Sequence, residues 1–196
     1  MESAAARRGR PPRLAMPELR ARALDVVARR GYTAMTMADI AAEIGLSVRT
    51  LHRYFPTKAD IVWGGIDRSF DALQTAFGRL EPGLPLIEAL IAAVAATFDL
   101  GEEELDVSRA RLRIIASTPE LQQVQSEAFV GWRRQIVAYI AERTGASPAE
   151  LGPLAAGAAV QTAIMSALEV WASSDGGSPG KAVAAGLRGL ALLGSA

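Results

Sequence analysis

Residues 36–58, with the sequence TMADIAAEIGLSVRTLHRYFPTK, constrain the fold more than any other part of the chain. Thr36 and Asp39 have the spacing of a capping box, so we expect a helix to begin just after Thr36. Gly45 provides the point at which such a helix ends and the chain turns. The apolar residues of this helix recur at helical spacing along one face. They are Ile40, Ala41 and Ile44.

A second short helix is predicted directly after that turn. Ser47 is a natural N-cap, and Pro56 prevents the helix from continuing. Thr57 then has capping-box spacing to Asp60 and begins a fourth, longer helix. Together with a first helix over residues 17–30, the two short helices form a helix-turn-helix. In this motif the second of the two short helices lies in the major groove of DNA. The predicted inward face of that member consists of Val48, Leu51 and Phe55.

The opposite face of the second helix carries residues that nearly all form hydrogen bonds. An arginine guanidinium matches the two acceptors of guanine, while threonine and tyrosine reach a phosphate or a thymine methyl group. This face therefore predicts contact with duplex DNA. The full set of candidate DNA contacts is Thr36, Ser47, Val48, Arg49, Thr50, His52, Arg53, Tyr54 and Lys58.

For two of these candidates we predict which group of the DNA they contact. Lys58 lies at the start of the fourth helix, where its ammonium group and the free backbone N–H groups favour a phosphate. His52 is the only histidine of the chain. Histidine changes charge within the physiological pH range, but we favour a neutral contact of His52 with a phosphate or a base over a pH switch.

This segment resembles the signature of the TetR family. That signature consists of a capped helix, a Gly-Leu/Val-Ser turn, the pattern Thr-Leu-Tyr-x-His/Tyr-Phe, and a lysine three residues later. The chain departs from the pattern at His52, which stands where tyrosine is usual. The matching residues are Thr36, Ile40, Ala41, Gly45, Leu46, Ser47, Thr50, Leu51, Tyr54, Phe55 and Lys58.

The resemblance covers residues 17–66 and implies an all-α protein of about nine helices. A helix-turn-helix domain would be followed by a helical ligand-binding and dimerisation domain, whose last two helices pair with their copies in a four-helix bundle. The implied function is sequence-specific transcriptional regulation, as a ligand-released repressor on a palindromic or pseudo-palindromic operator. Two half-sites require a homodimer. Because the sequence encodes DNA binding and not promoter geometry, activation stays open as an alternative to repression.

Charge is unevenly distributed along the chain, although the net charge is zero. Residues 1–60 hold 11 Lys+Arg against 6 Asp+Glu, whereas residues 61–196 hold 10 against 15. A basic N-terminal region favours a polyanionic partner there. We predict a flexible basic arm over residues 1–16, a DNA-binding domain over 17–63 and a ligand-binding and dimerisation domain over 64–196. The arm lacks the apolar segment of a secretory signal, so we expect a cytoplasmic protein.

Helical periodicity predicts further helices beyond residue 83, and β alternation of useful length is absent. Residues 151–168 carry no charge, and this length approaches that of a membrane span. Most of them are Ala, Gly, Ser, Thr or Gln. We therefore interpret the segment as a helix buried against another subunit, with no membrane partner. The predicted helices cover residues 84–98, 107–117, 120–143, 148–173 and 179–193.

The segment 109–121, RARLRIIASTPEL, and the later Trp132-Arg133-Arg134 resemble TetR subgroups that regulate acyl-CoA-type or mycofactocin-linked genes. This resemblance implies a small, largely apolar effector with an acidic head, for which arginine is the natural partner. Ordinary core packing is the alternative for the apolar candidates, and we favour solvated helix faces for Arg111, Arg113, Arg133 and Arg134. The candidate pocket residues are Phe98, Arg113, Phe129, Trp132, Ile136, Met165 and Trp171.

Composition argues against other functional classes. The chain has no cysteine and one histidine, so thiolate nucleophiles, Cys-based metal sites and His clusters are excluded. No nucleophile–base pair, metal-ligand set or cofactor loop supports an enzyme, and we expect no cofactor and no metal. Two rival interpretations are kept. One is an enzyme or acyl carrier-like binder that uses the helical core, and the other is an adaptor whose helix-turn-helix contacts protein.

Overall fold

The computed structural model describes residues 15–64, 67–98, 101–123, 127–174 and 176–194. Within these ranges the chain is helical and contains no strand, which confirms the predicted all-α fold. The N-terminal helices are α1 (Met16–Arg30), α2 (Met37–Glu43), α3 (Val48–Tyr54) and α4 (Lys58–Trp63). The later helices are α5 (Asp67–Gly78), α6 (Leu86–Ala96), α7 (Glu102–Ala116), α8 (Pro119–Gln123), α9 (Glu127–Thr144), α10 (Leu151–Ser173) and α11 (Pro179–Gly189), followed by a 3₁₀ turn over Leu190–Gly194. The predicted basic arm lies outside the described residues up to residue 14.

Eleven α-helices stand in the described residues where about nine were expected, because two predicted helices are divided. The long helix expected from Thr57 ends at Trp63, and Gly64 takes an extended conformation with φ −69° and ψ 156°. A Cβ at Gly64 would lie 2.3 Å from Nη2 of Arg20 and 2.5 Å from the carbonyl oxygen of Asp60, so only glycine fits there. The helix expected over residues 120–143 is likewise divided into α8 and α9.

The N-terminal hydrophobic core is built from α1–α4 and from part of the C-terminal half. Its side chains from α1–α4 include Leu24, Ile40 and Phe55, each at most 1% exposed. Ile115 of α7 and Leu121 of α8 belong to the same cluster. The helix-turn-helix therefore does not close its core alone, and α7 and α8 cover one side of it.

The second hydrophobic core lies among α5, α6, α9, α10 and α11. Helix α10 is at its centre, because it packs against α9 on one side and α11 on the other. Its buried positions recur at helical spacing, as expected for a helix enclosed by neighbours. Among them are Val160, Ile164, Leu168 and Trp171.

Helix α7 joins the two cores. Leu112 packs in the C-terminal core, whereas Ile115, three residues later, packs in the N-terminal one. The arginines of α7 also bind the C-terminal end of α10. Arg109 donates to the carbonyl oxygens of Trp171 at 2.8 Å and of Ser174, and Arg113 Nε donates to that of Ala172 at 2.5 Å. These bonds satisfy carbonyls that a helix end leaves without a partner.

One face of α10 is exposed and uncharged. Its exposed residues recur at intervals of three or four, so they form one continuous line along the helix. We call this line the α10 stripe; it consists of Ala155, Ala159, Thr162, Ser166 and Val170. Among the described helices, α10 alone is long and apolar enough to cross a membrane by length and composition, a test that core helices of soluble proteins also pass.

Candidate DNA-binding interface

The N-terminus of α2 is fixed by the predicted capping box. The hydroxyl of Thr36 accepts a hydrogen bond from the backbone N–H of Asp39 at 3.2 Å, and the Asp39 carboxylate accepts from the backbone N–H of Thr36 at 2.9 Å. The hydroxyl of Thr36 also donates to the Asp39 carboxylate at 2.6 Å, and this bond, followed by the one from the Thr36 backbone N–H, lowers the pKa of Asp39 from its ordinary value. Thr36 is exposed and holds α2 in place, so its side chain already has a structural role.

The turn between α2 and α3 depends on Gly45, whose φ of +73° is a conformation that side-chain-bearing residues rarely adopt. The chain then enters α3 at Ser47, whose hydroxyl accepts from the backbone N–H of Thr50 at 3.2 Å. The hydroxyls of Ser47 and Thr50 also share a hydrogen bond of 2.8 Å. Both candidates therefore lie at the exposed start of α3, held against each other.

Helix α3 is anchored by fewer residues than its sequence predicts. Leu51 and Phe55 are 0% exposed, but Val48 is 42% exposed, so its predicted inward orientation is wrong. Val48 is the first residue of α3. It lies one turn before Leu51, the buried residue of this helix nearest to its N-terminus. An exposed aliphatic side chain at this position is suited to a thymine methyl group.

The outer face of α3 presents three further candidates to solvent. Arg49 and Arg53 are exposed, and Tyr54 is half-buried. The Arg53 guanidinium lies 5.0 Å from the centroid of the Tyr54 ring and donates to its hydroxyl at 3.4 Å. Such stacking orients a guanidinium while leaving its remaining N–H groups available.

His52 is exposed on the same face, and its ring makes one defined contact. Its Nδ1 lies 3.0 Å from the carbonyl oxygen of Pro56. A carbonyl only accepts, so Nδ1 must carry the proton in this bond. In the neutral ring Nε2 is then an acceptor, which suits an amino group on a base edge and not a phosphate oxygen.

The ammonium group of Lys58 is hydrogen-bonded within the chain, whereas the sequence predicted that it would contact a phosphate. Its ammonium group donates to the carbonyl oxygens of Tyr32 at 2.6 Å and of Met35 at 2.8 Å, and it lies 4.1 Å from the centroid of the Tyr32 ring. Burial lowers the pKa of Lys58, and the charge of Glu120 opposes that shift. The side chain thus ties the start of α4 to the loop between α1 and α2.

Replacing Lys58 with methionine is expected to lower the free energy of unfolding by about 1–3 kcal/mol, because two charge-assisted hydrogen bonds to backbone carbonyls are lost. Urea denaturation measures the change. Lys181→Met, at an exposed position of α11, serves as the matched control and should unfold like the parent. A Lys58→Met protein of unchanged stability but weakened DNA binding would show that the ammonium group acts on phosphate instead.

The structure brings together most of the predicted pocket residues but not all of them. Arg113 of α7 is exposed, and its Nε donates to the carbonyl oxygen of Ala172 at the end of α10. Phe129 packs in the N-terminal cluster, with its ring centroid 5.9 Å from that of Trp63. The remaining five pack in or against the C-terminal core; they are Phe98, Trp132, Ile136, Met165 and Trp171.

Two residues near this region were not among the predicted site residues. Gln161 is buried in α10 and donates to the carbonyl oxygen of Phe129 at 2.9 Å. Arg111 was expected on a solvated helix face, but the structure exposes it only in part, and its Nε is inaccessible to solvent. Its helical position did not reveal this, because burial depends on α1 packing against α7.

Two segments of the chain match models of known protein families. Residues 19–62 match the N-terminal domain model of bacterial regulatory proteins of the TetR family, and residues 84–192 match the model of the MftR C-terminal domain. The chain is 32% identical over 149 residues to the mycofactocin biosynthesis transcriptional regulator MftR of Mycobacterium tuberculosis, covering 76% of this chain and 75% of that protein.

Solved structures share the fold. A transcriptional regulator from Pseudomonas aeruginosa PAO1 superposes with a TM-score of 0.60 and 20% identity, covering 92% of both chains. The structure of AibR in complex with isovaleryl coenzyme A and operator DNA has a TM-score of 0.52 and 15% identity, covering 89% of this chain and 96% of that one.

Proposed function

The chain belongs to the TetR family of bacterial transcriptional regulators, and from this premise we propose that it is a repressor released from its operator by a small effector. The family consists of DNA-binding regulators and not of enzymes. The operator we propose is palindromic or pseudo-palindromic and is bound by a homodimer. The effector is small and largely apolar, and it binds in the C-terminal domain.

The observation that carries this proposal is the outer face of α3. Leu51 and Phe55 fix the helix to the core, while Val48, Arg49 and Arg53 are exposed on the surface. A helix held from one side with arginines on the other is the form that enters a major groove. The capped ends of α2 and α3 keep this face rigid without using its arginines.

Homodimerisation is supported by the α10 stripe. An uncharged exposed line of small residues on a central helix allows a second helix to approach closely. A C2 dimer would place this line against its own copy, which also positions two α3 helices for two half-sites. The 3₁₀ turn after α11 adds Leu192, which is 74% exposed.

Effector binding is proposed to reach DNA through α7. The longer fourth helix expected from Thr57 ends at Trp63, so it does not provide one rigid connection between the domains. Helix α7 instead packs against α1 in the N-terminal core and binds the end of α10 through Arg109 and Arg113. A ligand that moves α7 would therefore shift α1 and the helix-turn-helix, and a displacement of a few ångströms would cost base contacts.

Replacing Arg49 with alanine is expected to weaken operator binding by about 30-fold or more, because each of the two half-sites loses one bidentate base contact of about 1–3 kcal/mol. Fluorescence anisotropy with duplex DNA from upstream of the protein's own gene measures the change. Binding to an unrelated duplex of the same length should change much less, because it depends on phosphates.

The control for this experiment is Arg79→Ala, which removes an exposed arginine directly after α5. Equal operator affinity of the Arg49→Ala and Arg79→Ala proteins would mean that Arg49 does not contact a base. Absence of sequence-specific binding by the parent protein would support the adaptor interpretation.

A further inference from the structure

The ring of His52 is held by a hydrogen bond to the turn that follows α3. Its Nδ1 lies 3.0 Å from the carbonyl oxygen of Pro56, four residues later in the chain. A carbonyl oxygen only accepts, so Nδ1 carries the proton in this bond. In a neutral imidazole the other nitrogen, Nε2, then has a lone pair and no proton. The bond to Pro56 therefore makes Nε2 a hydrogen-bond acceptor.

His52 lies on the face of α3 that the proposed function places in the major groove. It follows Val48 by four residues and Arg49 by three, so the three side chains are neighbours on the helix surface. All three are exposed, whereas Leu51 is buried and fixes the helix from the other side. A helix that brings Val48 and Arg49 to the bases therefore brings the ring of His52 to the same groove.

Duplex DNA offers few donors to such an acceptor. Phosphate oxygens only accept, and so do O6 and N7 of guanine and O4 of thymine. The donors in the major groove are the N6 amino group of adenine and the N4 amino group of cytosine. A neutral His52 in this orientation thus finds a partner on an amino base, and finds none on the backbone phosphates or on a keto base.

We propose that His52 is a specificity-determining residue whose Nε2 accepts a hydrogen bond from the amino group of a base. At one position of each half-site it selects adenine or cytosine over guanine or thymine on the contacted strand. The inference rests on the proposed function, since it requires α3 to enter the major groove. Tyrosine, which the TetR signature usually has at this position, carries a hydroxyl that both donates and accepts, so it does not impose this selection.

The test measures operator affinity by fluorescence anisotropy at about pH 8.5, above the range in which histidine side chains ordinarily change charge. Each position of the two half-sites is replaced symmetrically with the other three base pairs. At one position the parent should bind the guanine and thymine operators about 30-fold more weakly than the preferred one, because an ordinary hydrogen bond is lost in each half-site. The tighter of the adenine and cytosine operators identifies the base.

Two variants show whether this preference comes from Nε2. His52→Asn has an amide N–H at the place of Nδ1, so it keeps a donor for Pro56 but has no group at the place of Nε2. His52→Phe keeps a ring without any nitrogen. Both should lose the preference at that one position and keep those at the others, while the control Arg79→Ala should keep them all. His52 is exposed, so neither substitution should unfold the chain.

A base analogue tests the amino group itself. Purine in place of adenine, or 2-pyrimidinone in place of cytosine, removes the amino group and should weaken the parent far more than the two variants. The inference is overturned if His52→Asn and His52→Phe keep the preference, or if they lose affinity equally for every sequence, as a phosphate contact would require. Specific binding by the parent would then still support the proposed function. A parent that binds no duplex specifically would overturn both.

Discussion

The Thr162→Arg, Ser166→Arg double variant is expected to be a single chain in solution and to lose at least about 100-fold in operator affinity. Both substitutions lie in the middle of the α10 stripe, where each side chain is exposed. A two-fold interface would bring these arginines against their copies in an uncharged contact, which repels and desolvates them. A lone chain then binds one half-site and loses the gain in affinity from linking two.

Sedimentation velocity gives the oligomeric state, and fluorescence anisotropy gives the operator affinity of the same samples. Ala138→Arg is the matched control, because it adds an arginine at an exposed position of α9 outside the α10 stripe. The control should remain a dimer and bind like the parent. A double variant that stays dimeric would place the interface elsewhere.

The Phe55→Ala variant is expected to lose about 3–5 kcal/mol of unfolding free energy. Phe55 is 0% exposed, ends α3 and contacts the Arg20 guanidinium through its ring face. Its removal leaves a cavity under α3, among residues that also include Ile115 of α7. A loss of this size is comparable with the total stability of many proteins, so operator binding should disappear as well.

Urea denaturation measures the loss, and amide hydrogen exchange shows whether α2 and α3 open before the rest of the chain. Phe55→Leu keeps most of the apolar volume and should cost less than about 1.5 kcal/mol. If Phe55→Ala unfolds at the same urea concentration as the parent, Phe55 does not support α3.

The helix-turn-helix was predictable because its determinants are local. The capping box of Thr36, the turn at Gly45, the cap of Ser47 and the buried Leu51 all lie within residues 36–58. Each of these features acts over three or four residues, the distance over which sequence patterns are informative. The candidate DNA-contacting face followed from the same local pattern.

The features that the sequence did not reveal depend on distant parts of the chain. The extended backbone at Gly64 leaves no room for a side chain, because the Arg20 guanidinium and the carbonyl oxygen of Asp60 occupy that space. The contacts of Lys58 lie in the loop before α2, more than 20 residues away. The burial of Arg111 needs α1 to pack against α7. Helical periodicity carries no information about any of these neighbours.

The most direct test of the account is a hydroxyl-radical footprint of the protein on the DNA upstream of its own gene. The account predicts two protected stretches related by two-fold symmetry, with centres about 34 Å apart or a multiple of that distance. Both should disappear together when Arg49 is replaced with alanine. A single protected stretch, or none at any position, would contradict the claim that two α3 helices of a symmetric dimer enter the major groove.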